Sequence, residues 1–267
     1  MIYLEKMKYC QRVQDIGLEK VEKQIHLLES EDAEIDEKLL NSLLEKAMQA
    51  PTLGGMQLYS VVVTRDSEMK QRLSPCHFNQ PMVTNAPVVL TFCADFNRFD
   101  KWCEASGAEP CYGNFQSFLG AVLDVTIFAQ QFCTAAEMDG LGCCYLGTTT
   151  YNAPDIARVL ELPDMVVPII TLSVGYPANA DAEPKAERLP LAAILHNERY
   201  SDYNSERIMS IYAEKESLEV NKQYVKENAK PSLAHVFTDI RYNRANNEHF
   251  SQVFLDYIQA KGFKCPF

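Results

Sequence analysis

The chain has 267 residues, 47% of them hydrophobic, and carries 36 acidic against 25 basic side chains for a formal charge of -11. That much apolar material supports a substantial core and excludes a disordered chain. No basic cluster exceeds a few residues, so the acidic field excludes nucleic acid and anionic membranes as expected partners. The nine cysteines include no CxxC pair, which argues against a disulfide framework and a structural zinc site and fits a reducing cytoplasm. Adjacent Cys143 and Cys144 read as small hydrophobes, because neighbouring cysteines close only a strained ring.

In chain order, Met1 to Cys10 alternates charged and apolar residues and lacks the apolar run of a signal peptide or membrane span. The longest apolar run elsewhere reads as too short to cross a bilayer. Residues 1–33 predict a peripheral amphipathic helix. Asp36 followed by Leu39, Leu40, Leu43, Leu44 and Ala47 predicts an acid-capped helix ending near Pro51. Ala50 to Gln57, with Pro51, Gly54 and Gly55, is a loop whose backbone can approach a ligand. Tyr59–Thr64 and Val88–Ala94 are strands, the second bounded by Pro87 and the polar Asp95–Asp100 stretch. Phe115 to Met138 is a helix apolar around most of its circumference, which places it in a core and in a subunit interface at once. Cys143–Gly147 is a short strand or loop, and Val166–Gly175 a strand. A Pro-, Ala- and Glu-rich connection over 177–187 leads to polar sequence, with a charged helix through about Asn228 and a last one from about Asn246 to Ala260.

Several catalytic arrangements are excluded by inspection. HExxH, GxSxG and GxxxxGK[ST] are absent, and the five histidines have no spacing that sets two on one helix face as metal ligands. Gly140-Leu141-Gly142 with Gly147 fails as a Rossmann fingerprint, because a helix rather than a strand precedes it.

A set of strings in order carries a family likeness. Glu45-Lys-Ala-Met-Gln-Ala-Pro-Thr-Leu-Gly-Gly-Met-Gln57 resembles the helix-to-loop segment of the nitroreductase superfamily, and Phe92-Cys-Ala-Asp-Phe-Asn-Arg98 a strand of its oxygen-insensitive, NADPH-dependent nitroreductase and flavin reductase branch. Leu123-Asp124 through Glu137 with Gly140–Gly147, Val174-Gly-Tyr-Pro177, Arg188-Leu-Pro190, Leu255-Asp-Tyr257 and Lys261-Gly-Phe263 are similar to its later segments. The resemblance covers about residues 36 to 267. It implies an α+β sandwich with a central mixed β-sheet flanked by helices, a homodimer with a buried central helix, and one FMN at each subunit interface. NAD(P)H is the implied reductant and a nitroaromatic, quinone or flavin the acceptor, in ping-pong order.

Under that resemblance the cofactor-binding positions are Thr52, Leu53 and Gln57 of the first loop, Gln80, the loop Tyr145, Leu146, Gly147 and Thr148, and Arg188. Thr52 stands for a serine near the flavin phosphate or ribityl chain, Gln80 for a glutamine near the ring, and Arg188 for an arginine at the pyrimidine side or the phosphate. Gly147 has no Cβ to block a flat ring, and an arginine near the ring stabilises the anionic reduced flavin; no catalytic side chain is demanded. Without the resemblance, Gln80 reads as an ordinary loop residue, Tyr145 as core and Arg188 as a surface charge. Asp95 and Arg98 then read as an ion pair or a strand cap, and His196 as a structural hydrogen bonder.

The sequence departs from the family at its Arg-Ser-x-Arg-x-Phe opening, which lands on Gln24-Ile-His-Leu-Leu28. Two charge-assisted phosphate contacts are therefore missing there; Arg12 or Arg241 is expected to replace them, with His26 a further candidate. Leu53 stands where a serine is usual and Gly55 where an asparagine is. Arg241 and Arg244 are candidates for the 2′-phosphate of NADPH. The expected divisions are 1–33, a helical extension; 34–200, the FMN-binding core; and 201–267, a C-terminal helical extension packing on the core or on the partner. Two other readings stand beside the enzyme: a non-catalytic flavin- or ligand-binding homodimer, and a structural dimer without cofactor.

Overall fold

The computed structural model describes residues 34–177 and 188–264. The readings of residues 1–33, with Arg12 and His26, and of most of the 177–187 connection lie outside these. The Asp36 carboxylate accepts the Lys38 N–H and caps helix α1, Glu37–Ala47, which buries Leu40, Leu43 and Ala47. Its period of three and four residues produces one apolar face.

Four strands follow: β1, Tyr59–Thr64; β2, Val88–Asp95; β3, Gly142–Tyr145; and β4, Val166–Gly175. They lie in the order β1-β2-β4-β3, and every pairing is antiparallel. The expected mixed sheet is thus corrected for the described residues. The parallel bridge Asn114–Lys264 lies outside the named strands. All eight β2 residues are buried, because both faces of the inner strands are covered and the sequence is apolar without alternation.

One face meets α1 and helix α5, Phe115–Met138. There Val88, Leu90 and Phe92 of β2 and Leu172 and Val174 of β4 cluster with Phe128 and Phe132. The Phe128 ring stacks on Tyr59 at 4.3 Å and meets Phe92 edge-on at 5.3 Å. The other face carries Val89, packed with Leu73, Met82, Leu146 and Ile156 from short helices and loops. Those helices are α2, Ser67–Leu73; α3, Pro81–Asn85; and α6, Ala153–Val159. Helix α4, Asn97–Ala105, follows β2 and buries none of its residues. The sequence reading missed all four. They are five to nine residues long, too short to display a helical period.

α5 corrects one expectation, that no apolar run in the chain is long enough to cross a bilayer. By length and composition it could cross a membrane, yet Phe118, Val125, Phe128, Ala129 and Phe132 are buried in the protein, so it is a core helix. One stripe stays uncovered: Phe115, Leu119, Leu123 and Ile127 are 39%, 40%, 48% and 42% exposed.

The chain divides into two compact units. Residues 34–177 with 249–264 form one, and 188–248 the other. In the second, the expected single charged helix is two, α7, Ser205–Ser217, and α8, Glu219–Glu227, broken where Leu218 turns to ψ 134°. The Arg241 guanidinium lies over the Tyr224 and Phe237 rings, at 4.7 and 5.3 Å. The last helix, α9, spans Arg244–Ala260 and buries Tyr257 and Ile258 in a cluster with Phe118 and Phe263.

Phe128 is 2% exposed and Trp102 of α4 is 63% exposed. Phe128→Ala is expected to cost about 3–5 kcal/mol of unfolding free energy in urea, and Trp102→Ala under about 1 kcal/mol.

Candidate functional site

The loop after α1 owes its shape to residues that tolerate a left-handed backbone. Gly54 and Gly55 have φ of 60° and 71° in a short 3-10 turn, Leu53–Gly55, and Gln57 has φ of 54°. Thr52 precedes the turn in an extended conformation and is half-buried, while Leu53 and Gln57 are exposed. This loop is held from two sides. Asp124 of α5, 1% exposed, accepts the Leu53 N–H at 2.8 Å and the Leu58 N–H at 3.2 Å. The Arg98 guanidinium donates to the carbonyls of Tyr59, at 3.1 Å, and Gln57. Asp95 accepts the Arg98 backbone N–H, so of the two readings for this pair the cap is the one seen.

A second group of segments lies beyond the other sheet face. Gln80 is half-buried and caps α3 through its backbone position, after a turn in which Phe78 and Asn79 both take positive φ, 55° and 56°. Just before it, His77 is fully buried and its Nδ1 stands 2.8 Å from the Thr148 hydroxyl. Asn152 donates from Nδ2 to the Cys76 carbonyl at 2.7 Å. The structure thus brings the Gln80 segment and the Tyr145–Thr148 loop together, although 71 residues separate His77 from Thr148.

Within the latter loop, Leu146 is 3% exposed and donates its N–H to the Thr171 carbonyl at 2.9 Å. Gly147 is exposed, and a Cβ there would meet nothing within 4 Å. A flat ring needs bare backbone with free space beside it, so the residues present fit a flavin at this edge. Tyr145 is 42% exposed and hydrogen-bonds Gln130 of α5 at 3.2 Å, so it is not the core residue that its type alone suggests. Burial, followed by the neighbouring Cys133, Cys143 and Glu137, pushes its phenol up to about 12.

Arg188 is exposed and belongs to the second unit. His196 makes structural contacts as read: its ring stacks on Tyr200 at 4.2 Å, Nδ1 accepts the Ser201 N–H, and Nε2 is 3.2 Å from the Tyr203 hydroxyl. All seven cysteines among the described residues are free thiols, Cys143 and Cys144 included.

Sequence reasoning missed Asp124, the Arg98 contacts and His77. A lone carboxylate among the buried apolar positions of α5 was the available signal for Asp124, since such a charge needs donors.

The nitroreductase family model matches residues 30–176. A Cr(VI) reductase of Pseudomonas sp. (strain G-1) is 32% identical over 178 residues, covering 67% of this chain and 72% of that one. The FMN reductase (NADPH) of Bacillus subtilis is 34% identical over 164 residues, 61% of this chain and 65% of that one. A crystal structure from Bacteroides fragilis is 53% identical with a TM-score of 0.86, covering 90% of this chain and 96% of that one. Fold and likeness together define an oxidoreductase. The chain belongs to the nitroreductase family.

Two outcomes follow from the anchors. Asp124→Ala leaves two backbone donors unpaired and is expected to cost about 3 kcal/mol, with faster hydrogen exchange at the Leu53 and Leu58 amides. Burial lowers the His77 imidazole from 6.5 to about 4. Between those values the unfolded chain holds the extra proton, so stability falls as pH drops from 6.5 to 4, by on the order of 3 kcal/mol. Urea unfolding across that window should show a shallower slope for His77→Asn than for the wild type.

Proposed function

We propose that this chain is an FMN-dependent NAD(P)H oxidoreductase that reduces nitroaromatics, quinones or flavins at a site shared between two copies. The nitroreductase family uses FMN with NAD(P)H as reductant, and so does this enzyme. The observation that carries the reading is the exposed backbone at Gly147, free of neighbours, in a loop anchored through Leu146 and Thr148. Bound there, FMN supplies the hydride chemistry, and the protein supplies position and electrostatics.

In this reading Tyr145, Leu146, Gly147 and Thr148 line the ring, and Gln80 contacts its polar edge. Thr52, Leu53 and Gln57 of a partner copy close the site. The acceptor follows the nicotinamide onto the same open face, which makes the kinetics ping-pong. The reducing cytoplasm suits the free thiols.

The exposed stripe on α5 supports the homodimer. Leu53 reaches α5 at Gly120, whose added Cβ would stand 3.3 Å from its Cδ1, and Tyr145 reaches α5 at Gln130. Ten residues apart on a helix, these points are separated by about 15 Å along the axis, so one copy does not close the site alone. In a two-fold pair centred between Leu123 and Ile127, the two α5 helices run antiparallel. The level of Gly120 in one copy then faces the level of Gln130 in the other. The Leu53 loop meets the partner's Tyr145 loop.

The purified protein is expected to be yellow, with bands near about 370 and 450 nm from releasable FMN, and to oxidise NAD(P)H with a quinone in parallel-line kinetics. Leu123→Glu puts a charge in the apolar stripe and should yield a colourless monomer by light scattering. A dimeric, fully flavinylated Leu123→Glu protein, or a wild type that stays colourless with excess FMN, overturns the reading.

A further inference from the structure

His77 is 0% exposed, and its two ring nitrogens have different surroundings. Nδ1 lies 2.8 Å from Thr148 Oγ1, while Nε2 is buried with no hydrogen-bond partner among the described residues. A neutral imidazole carries one N–H. With the proton on Nε2, a buried donor is orphaned; with it on Nδ1, only an acceptor lone pair is. Orphaned buried donors are the rarer of the two in proteins. The Nδ1–H form therefore predominates, and in it Thr148 Oγ1 accepts from His77 and keeps its own hydroxyl hydrogen for another partner. Had the hydroxyl donated to the imidazole, that hydrogen would be spent inside the core.

The same ring closes a second constraint. Phe78 and Asn79, next in the chain, hold consecutive left-handed conformations, which cost energy for non-glycine residues and persist only where surrounding structure enforces them. The bond to Thr148 fixes one end of this turn, and the Cys76 carbonyl, bound by Asn152 at 2.7 Å, fixes the residue before it. Gln80 stands at the far end.

We propose that His77 is a positioning residue of the flavin site: its Nδ1–H fixes the Thr148 hydroxyl as a donor to an acceptor atom of the bound flavin and keeps the Gln80 turn in register with it. This rests on the reading of Tyr145–Thr148 as the flavin loop. Burial keeps the ring neutral down to about pH 4, so the arrangement persists throughout the neutral range.

The test separates the two claims. Nitrogen-15 shifts of the imidazole in FMN-free protein report the tautomer without any flavin, and the Nδ1–H form is expected; the Nε2–H form overturns the proposal while leaving the flavin reading intact. FMN affinity and flavin midpoint potential are then measured for His77→Leu, His77→Asn, Thr148→Val and the double variant His77→Leu with Thr148→Val. His77→Leu should weaken FMN about tenfold, as expected for one lost hydrogen bond, and shift the potential. His77→Asn, with an amide donor near the Nδ1 position, should recover most of both. The double variant should bind FMN no more weakly than Thr148→Val. Unchanged affinity and potential in His77→Leu, or equal losses in the Leu and Asn variants, overturn it. If His77→Leu fails to fold, Thr148→Val decides: wild-type affinity and potential in that variant overturn the proposal. A wild type that binds no FMN overturns both readings.

Discussion

A buried carboxylate in the middle of an apolar helix organises this protein. Taking Asp124 out of water is costly unless donors replace the solvent, and the structure supplies two, the backbone N–H groups of Leu53 and Leu58. The exchange works in both directions. Those amides stand at the two ends of a loop that cannot satisfy them internally, because its positive-φ residues break any regular ladder. Arg98 performs the complementary task on the carbonyls of Gln57 and Tyr59. A glycine-bearing loop that would otherwise be loose is tied to the central helix and to the end of β2, and Leu53 and Gln57 stay exposed at its rim.

The same helix explains why the large elements were legible in the sequence and the site's supports were not. The bounds of β1 and β4 read correctly and those of α5 approximately so, since β4 and α5 are long apolar runs ended by a glycine or begun by a cap and β1 is marked by three successive valines. α2, α3 and α6 are defined by other means: the Asp66 side chain takes the Met69 N–H at 2.8 Å, and prolines stand in the first turns of the other two. Local capping makes them helical without writing a hydrophobic period. The site divides in the same way. Its loops were visible as glycine-bearing strings resembling a family, but the bonds that fix them join residues 71, 66, 41 and 71 positions apart. No local pattern encodes such a pair. Only the oddity of Asp124 among buried apolar residues advertised one.

The sheet holds the two halves of the candidate site apart as well as in place. Residues on one side of β2 pack against α5, and Val89 on the other packs against Met82 and Leu146. The first loop is therefore anchored in one layer, through Asp124, and the His77–Thr148 staple in the other. Tyr145, at the end of edge strand β3, links the layers through Gln130. The candidate site is tied by hydrogen bonds within each layer and open between them, where Leu53, Tyr145, Gly147 and the α5 stripe are exposed. Exposed apolar side chains in a continuous helical stripe are costly for an isolated chain. In the proposed homodimer, apolar burial against a second copy removes that cost, and the same approach supplies each site with the loop its own chain holds too far away. In this arrangement dimerisation and cofactor binding depend on one surface, so the energetics of the two are coupled.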